Sequence, residues 1–202
     1  MISVIVPVAN EPAESIAFWE RFAAAPQAEL LIARDDGGLR GTALALAAAR
    51  SRGEILFFVH ADSRPPQNAL AIVREVVANG ADAGAFSLAY ENDSRRMRWI
   101  AWWANRRSRW LRLPFGDQGI FCRRDAYERA GGFRDLPVCD DLDLVLRLRR
   151  AGRFEIRPEV MVTSARGYLR HGALRQVLRV WRVAGGYFLG VSPARLRRWY
   201  FH

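Results

Sequence analysis

The residues best suited to chemistry in this chain stand where short apolar runs end. Pro7 closes the run Ile2-Ser-Val-Ile-Val and is followed by Asn10 and Glu11; Asp35 and Asp36 follow residues 29–33; His60 and Asp62 follow Ile55-Leu-Phe-Phe-Val. In an open α/β sheet, ligands bind beyond the carboxyl ends of the strands, so these are positions a ligand would meet. Strand alternation sends His60 and Asp62 to the same side. A carboxylate placed there can hold a divalent cation through oxygen, with nucleotide phosphates completing the shell. Any one of these acids could be a helix cap or loop residue. Their coincidence at three successive strand ends favours a nucleotide site. Farther on, Asp140, Asp141 and Asp143 open a helical stretch, where the helix dipole alone would favour them.

These residues need strands and helices to position them. Residues 2–7 read as a buried strand ended by Pro7, and residues 29–33 and 55–59 as two more buried strands. Helical patterns cover residues 13–24 (Ile16, Trp19 and Phe22 or Ala23 on one side), 42–50 and 66–78. Such alternation implies βαβ units and a parallel sheet. The second half predicts strands at 85–90, 119–122, 154–156 and 160–162, and helices at 95–113, 125–130, 140–150 and from about His171. The expected division is a nucleotide-binding half over 1–92, an acceptor half over 93–170 and a basic, aromatic helical segment over 171–202.

Composition narrows the chemistry. A chain of 202 residues is one domain that can bury roughly 70% of its unfolded surface without a disulfide or structural metal. All 31 basic residues are arginine, which removes Schiff-base chemistry, a lysine base and a lysine-bearing P-loop. Cys122 and Cys139 have no zinc spacing and read as small buried hydrophobes. His60, His171 and His202 are too scattered for a histidine cage. No apolar run reaches the ~20 residues of a membrane span, and Met1 runs straight into a strand pattern, so a cytoplasmic protein is expected. The net charge of +10 is concentrated: residues 94–116 and 160–202 hold seven and eight arginines and no acid, leaving the remainder at −5. An acidic body with basic, aromatic attachments suits an enzyme with a docking surface better than a nucleic-acid binder, so no nucleic-acid partner is expected.

The order Val-Ile-Val-Pro…Asn-Glu, Asp-Asp-Gly-Gly, Arg-Gly-Glu-Ile-Leu-Phe-Phe-Val-His-Ala-Asp, Gly-Gly-Phe and Asp140-Asp141-Leu-Asp-Leu resembles family 2 glycosyltransferases. His60-Ala-Asp, Gly116-Asp-Gln-Gly-Ile-Phe-Cys-Arg-Arg and Val162-Thr-Ser-Ala-Arg166 resemble, within that family, the compact bacterial subgroup of radical-SAM/selenodomain-associated transferases. The resemblance implies the nucleotide-diphospho-sugar transferase (GT-A) fold and inverting transfer of a sugar from a nucleotide sugar, with UDP the favoured carrier. It implies that Pro7, Asn10 and Glu11 flank the nucleoside, that Asp35 or Asp36 touches base or ribose, and that Arg40 pairs with phosphate. Asp62 would be the last residue of the Asp-x-Asp motif, holding Mn2+ or Mg2+, with His60 in place of the first aspartate. Asp141, preceded by Asp140, would be the general base. The span between the second and third strands is about one helix–strand unit shorter than in ordinary members. In Gly-Asp-Gln-Gly, Asp117 and Gln118 fall on the acceptor side, where Gln118 either contacts the acceptor or only bonds a turn. A nucleotidyltransferase is the second enzyme reading, but Ala9-Asn10-Glu11-Pro12 lacks its glycine-rich, lysine-bearing loop.

On a helical wheel Trp99, Trp103 and Trp110 form a stripe flanked by arginines that include Arg106 and Arg107, with Met97, Ala101, Ala104 and Leu111 opposite and suited to packing on the body. Tryptophan beside arginine is the composition of a helix lying in a membrane interface, here at the inner face of the cell membrane or against a lipid-linked acceptor. A protein interface such as a homodimer, or a place in the core, are the alternatives. On the membrane reading without catalysis, the chain is a degenerate peripheral module binding anionic membrane or nucleic acid. The tail repeats the theme, with Leu174, Val177, Leu178 and Trp181 in one stripe and Arg175, Arg179 and Arg182 in another. Gln176 and Arg179 resemble a Gln-x-x-Arg-Trp box, but Trp181 falls at the wrong spacing.

Overall fold

The computed structural model describes residues 1–9, 12–34 and 38–201, with His171 by its backbone only. Asn10, Glu11, Asp35 and Asp36, all expected in the site, lie outside the described residues. One seven-stranded sheet organises the chain, with β1 (Ile2–Val8) between β2 (Ala28–Arg34) and β3 (Ile55–Phe58), both parallel to it. Beyond β3 follow β6 (Ile120–Arg123), β5 (Ala83–Tyr90), β7 (Phe154–Thr163) and the two-residue β4 (Ser63–Arg64). Pairings across β6 and β4 are antiparallel and the rest parallel, so five strands run one way.

Strand alternation splits the core in two. Ile5, Leu56 and Phe58 face one layer, built from α2 (Arg40–Arg50), α5 (Arg124–Arg129) and α6 (Asp140–Ala151). Val4, Val6, Phe57 and Val59 face the other, built from α1 (Ala13–Ala23) and α3 (Ala69–Ala78), where Trp19 is fully buried and gives its indole N–H to the Ala61 carbonyl at 3.2 Å. Beside β5, α4 (Arg95–Leu111), α7 (Arg166–His171) and α8 (Ala173–Phe188) gather around Leu88, Tyr90, Met97 and Ile100. A last helix, α9 (Pro193–Phe201), folds back on α8 through Leu196 and the Arg182–Trp199 stacking contact.

Several elements differ from the sequence expectation, each for a physical reason. Proline does not end β1, because β1 pairs with β3 only as far as Ile5 and Pro7 lies beyond that ladder. β2 is not buried on both faces; it is the sheet's edge, and most of its residues are half-buried. The two short strands expected at 154–156 and 160–162 are one strand. Opposite β5 the register jumps from Ala85↔Ile156 to Ser87↔Val160, so the segment around Pro158, which has no N–H to donate, bulges out of the ladder. The tail helix starts at Arg166, five residues before His171, and breaks at Gly172, whose φ of 81° suits glycine.

Candidate functional site

A cleft of about 580 Å3 opens beyond the carboxyl end of β3 and is lined by Arg40, His60, Asp62, Asp117, Asp140 and Asp141 among others. Residues from four distant stretches thus meet there. α2 supplies Arg40 from its first turn and α6 supplies Asp140 and Asp141 from its own, with Cys139 in the left-handed region (φ 62°) turning the chain into the helix. The His60–Asp62 turn is pinned by β4, where the Ser63 hydroxyl donates to the Thr163 hydroxyl at 3.1 Å.

Arg40 is the hub. Its Nε and Nη2 donate to the two Asp140 oxygens at 3.0 and 2.5 Å, its Nη1 lies 3.2 Å from His60 Nε2, and Asp141 is 3.9 Å away. The guanidinium fork is engaged by Asp140, which is 2% exposed, because a buried carboxylate must be paired. Asp141 accepts from the Gly116 N–H at 2.6 Å and the Leu142 N–H at 2.8 Å. Gly116 permits this approach, since a Cβ there would meet His60 Nε2 at 2.7 Å. Burial pushes the Asp141 carboxyl up, but Arg40, the Gly116 N–H, His60 and the Leu142 N–H outweigh it and hold it below the usual aspartate range. Burial and the Arg40 charge push the His60 imidazole down against the pull of Asp141, Asp62 and Asp140. Pro7 lines a small void directly beneath this cluster. Asp143 is turned away: it accepts from Arg147 and, at 2.6 Å, from the Tyr187 hydroxyl, tying α6 to α8.

Asp117 and Gln118 part company. Gln118 is fully buried, and its amide is spent on the Ser108 hydroxyl (2.7 Å), the Phe86 carbonyl (2.8 Å) and the Phe115 N–H (3.3 Å). It holds a turn and does not face an acceptor. Asp117 faces the cleft, and its Oδ1 is enclosed without a hydrogen-bond partner. Burial raises its carboxyl to about 6, with Asp141 and Asp62 adding to the rise and Arg107 opposing it. That arginine is the clearest correction to the expected surface stripe. Arg107 turns inward, donates to the Leu113 carbonyl at 3.0 Å and lies 3.6 Å from the Phe115 ring centre. The other stripe residues are outside: Trp99, Trp103 and Trp110 are 58%, 45% and 68% exposed, and Arg106 stacks on Trp102 and Trp110. The core alternative for these indoles is therefore excluded. Leu111, expected to pack inward, is exposed, and Ile100 and Ser108 take that face instead.

Among the cleft residues that were not anticipated, three carry polar groups from the tail helices. Arg197 and Tyr200 reach it from α9, and Gln176 from α8 presents a buried Oε1 without a partner. The Gln-x-x-Arg-Trp spacing had set Gln176 aside, and nothing local in 193–201 announces a helix that folds back over a distant cleft. Cys139 also lines the cleft and is not the buried hydrophobe expected; Cys122 is.

For a divalent cation the donor set is sparse. Among the described residues no three His, Cys, Asp or Glu side chains gather to hold a metal. Asp62 lies 3.5 Å from Arg166 Nη2, and His60 Nε2 already meets Arg40. These residues fit a cation that arrives with phosphate oxygens and takes one carboxylate, not a resident ion in a protein cage.

No protein-family model and no curated protein matches the sequence. The fold has clear relatives among solved structures. Staphylococcus aureus TarS superposes with a TM-score of 0.60 at 14% identity, over 89% of this chain and 63% of its own. A mannosyltransferase from Pyrobaculum calidifontis, PcManGT, in complex with GDP-Man and Mn2+, gives 0.64 at 20% identity over 90% and 60%. TarS in complex with UDP-GlcNAc gives 0.54 at 12% over 81% and 58%. The chain therefore has the GT-A glycosyltransferase fold, and it spans less than two thirds of the length of these neighbours.

Proposed function

We propose that the protein is an inverting glycosyltransferase of the family 2 type, moving a sugar from a nucleotide sugar, with UDP the favoured carrier, to an acceptor hydroxyl. One observation carries the reading: in a fold shared with nucleotide-sugar enzymes, Asp141 is held ionised at a helix N-terminus facing the cleft, oriented by two backbone N–H groups and the Arg40–Asp140 pair. In the proposed step the acceptor oxygen attacks the anomeric carbon while the bond to the diphosphate breaks on the opposite face. The acceptor proton passes to Asp141. Through an oxocarbenium-like transition state this needs no covalent intermediate. A weakly basic carboxylate suffices, because the acceptor hydroxyl becomes acidic only as its bond to carbon forms.

Asp62 would hold a Mn2+ or Mg2+ brought with the nucleotide, which when bound supplies charge neutralisation at the leaving diphosphate. Arg166 at the cleft mouth and Arg197 are the protein's own cations for that oxygen-rich group. Isothermal calorimetry with UDP and GDP, each with and without Mn2+, tests the reading: micromolar binding of one of them is expected, and no heat from either overturns it. A nucleotidyltransferase would bind nucleoside triphosphates in preference in the same titration.

We also propose that α4 and α8 rest on an anionic membrane surface on the cytoplasmic side, as the exposed Trp102, Trp110, Trp181 and Phe188 among arginines favour. Each arginine near anionic lipid contributes about 1 kcal/mol. A Trp102→Ala/Trp110→Ala variant should bind phosphatidylglycerol-containing vesicles at least tenfold more weakly and keep nucleotide binding. If a second copy of the chain covers this face instead, the wild type will dimerise in sedimentation, the variant will not, and vesicles will capture neither. No helix among the described residues is long and apolar enough to cross a membrane.

A further inference from the structure

Beside the cleft lies a second hollow, a groove of about 270 Å3 between α4, α7 and α8, walled by Leu88, Ile100, Trp103, Ala104, Val177 and Trp181. We propose that this groove seats an acceptor whose polar head is carried on an apolar chain, and that Asp117, where groove and cleft join, accepts from a hydroxyl of that head other than the one whose proton passes to Asp141. The proposal rests on the glycosyl-transfer reading above and names its acceptor class.

Two independent observations carry it. The groove is continuous with the cleft, for Tyr90, Phe115, Asp117 and Tyr168 line both. At that junction Asp117 Oδ1 is enclosed and unpartnered, an arrangement that costs stability unless a donor arrives. A hydroxyl is such a donor. The walls choose what carries it. Apart from Asp117 at the junction and Arg107, stacked on Phe115 at the inner end, the side chains along the groove are aliphatic or aromatic. A polyhydroxylated acceptor would leave its own hydroxyls unpaired there, whereas an alkyl or isoprenoid chain would lose only water. The outer rim is Trp99, Trp103 and Trp181, all exposed, which lets the chain leave toward the surface proposed to meet lipid.

Tryptophan fluorescence of the full chain, titrated with octyl β-glucoside below its micellar concentration, tests this, with methyl β-glucoside as the chain-free control. A saturable change with the octyl compound and none with the methyl compound is expected. Ala104→Phe, which fills the groove, and Val177→Glu, which charges its opposite wall, should each weaken binding at least tenfold. Asp117→Asn should weaken it about fivefold, the difference between a charged and a neutral acceptor. Equal responses to both glucosides, or an octyl response unchanged in the folded Ala104→Phe and Val177→Glu proteins, overturn the proposal. Calorimetry with UDP and GDP on the same samples separates the two readings: nucleotide binding without octyl glucoside binding sinks only the groove, and the converse sinks only the donor.

Discussion

Replacing Asp141 by asparagine should lower sugar transfer by about a thousandfold while nucleotide binding changes less than threefold. The size follows from the role: general-base assistance is worth roughly 10^2- to 10^4-fold, and this carboxylate is held below the usual aspartate range. The substitution is nearly isosteric, but it is not silent structurally. Asp141 accepts two backbone N–H bonds, one on each oxygen, and an amide can satisfy only one of them. A destabilisation of about 1–2 kcal/mol is expected from the orphaned N–H, small enough for the variant to fold. The acid limb carries a second signature. Arg40, His60 and the Gly116 and Leu142 N–H groups favour the charged form, so the wild-type kcat should stay flat on acidification until below the usual aspartate range. The contribution of those contacts to stability is lost over the same low-pH window, as pH falls through the depressed value. Stopped transfer assays with matched calorimetry check both parts. A variant that keeps a tenth or more of wild-type kcat removes Asp141 from the role of base.

The cleft positions of His60 and Asp62 could be read from sequence because their placement follows from local rules. Apolar runs of β-branched residues mark strands, and the residue after a strand marks the ligand edge, so His60 and Asp62 needed no tertiary information. Asp140 and Asp141 were legible for a related reason: acids favour the first turn of a helix whatever else they do. Arg107 was misassigned because a helical wheel knows periodicity and not which neighbour offers a partner. Arg106 beside it is half-buried against Trp102 and Trp110, while Arg107 finds Leu113, Phe115 and Asp117 within reach. Gln118 was ambiguous for the same reason, since Ser108 and Phe86, which consume its amide, lie ten and thirty-two residues away. Arg197 and Tyr200 were invisible: their position depends on α9 turning back along α8, a packing decision made by Leu196, Trp199 and the space at Gly186. Local pattern thus located the acids, and long-range packing decided which cations and amides join them.

Arg40→Ala should be the most damaging substitution to both fold and function. Asp140 is 2% exposed and has its two oxygens bonded by the same guanidinium, so removing Arg40 leaves a buried, uncompensated carboxylate. Breaking such a pair costs 3–5 kcal/mol when both partners are buried; with the arginine side chain 36% exposed, about 3 kcal/mol is the fitting figure. For a domain of this size that is a fall of roughly 6–12 °C in Tm. Arg40→Lys should recover little, because an ammonium cannot bond both Asp140 oxygens and reach His60 together. If the cost is the orphaned charge and not lost packing, neutralising both partners will cancel much of it. Arg40→Met/Asp140→Asn should regain at least half of the lost Tm in calorimetry, yet stay inactive, since Asp141 and His60 would lack the charge that sets their protonation. A double variant no more stable than Arg40→Ala would mean that α2 and α6 are joined by shape alone. One that regained transfer would mean that the arginine serves the fold and has no part in the chemistry.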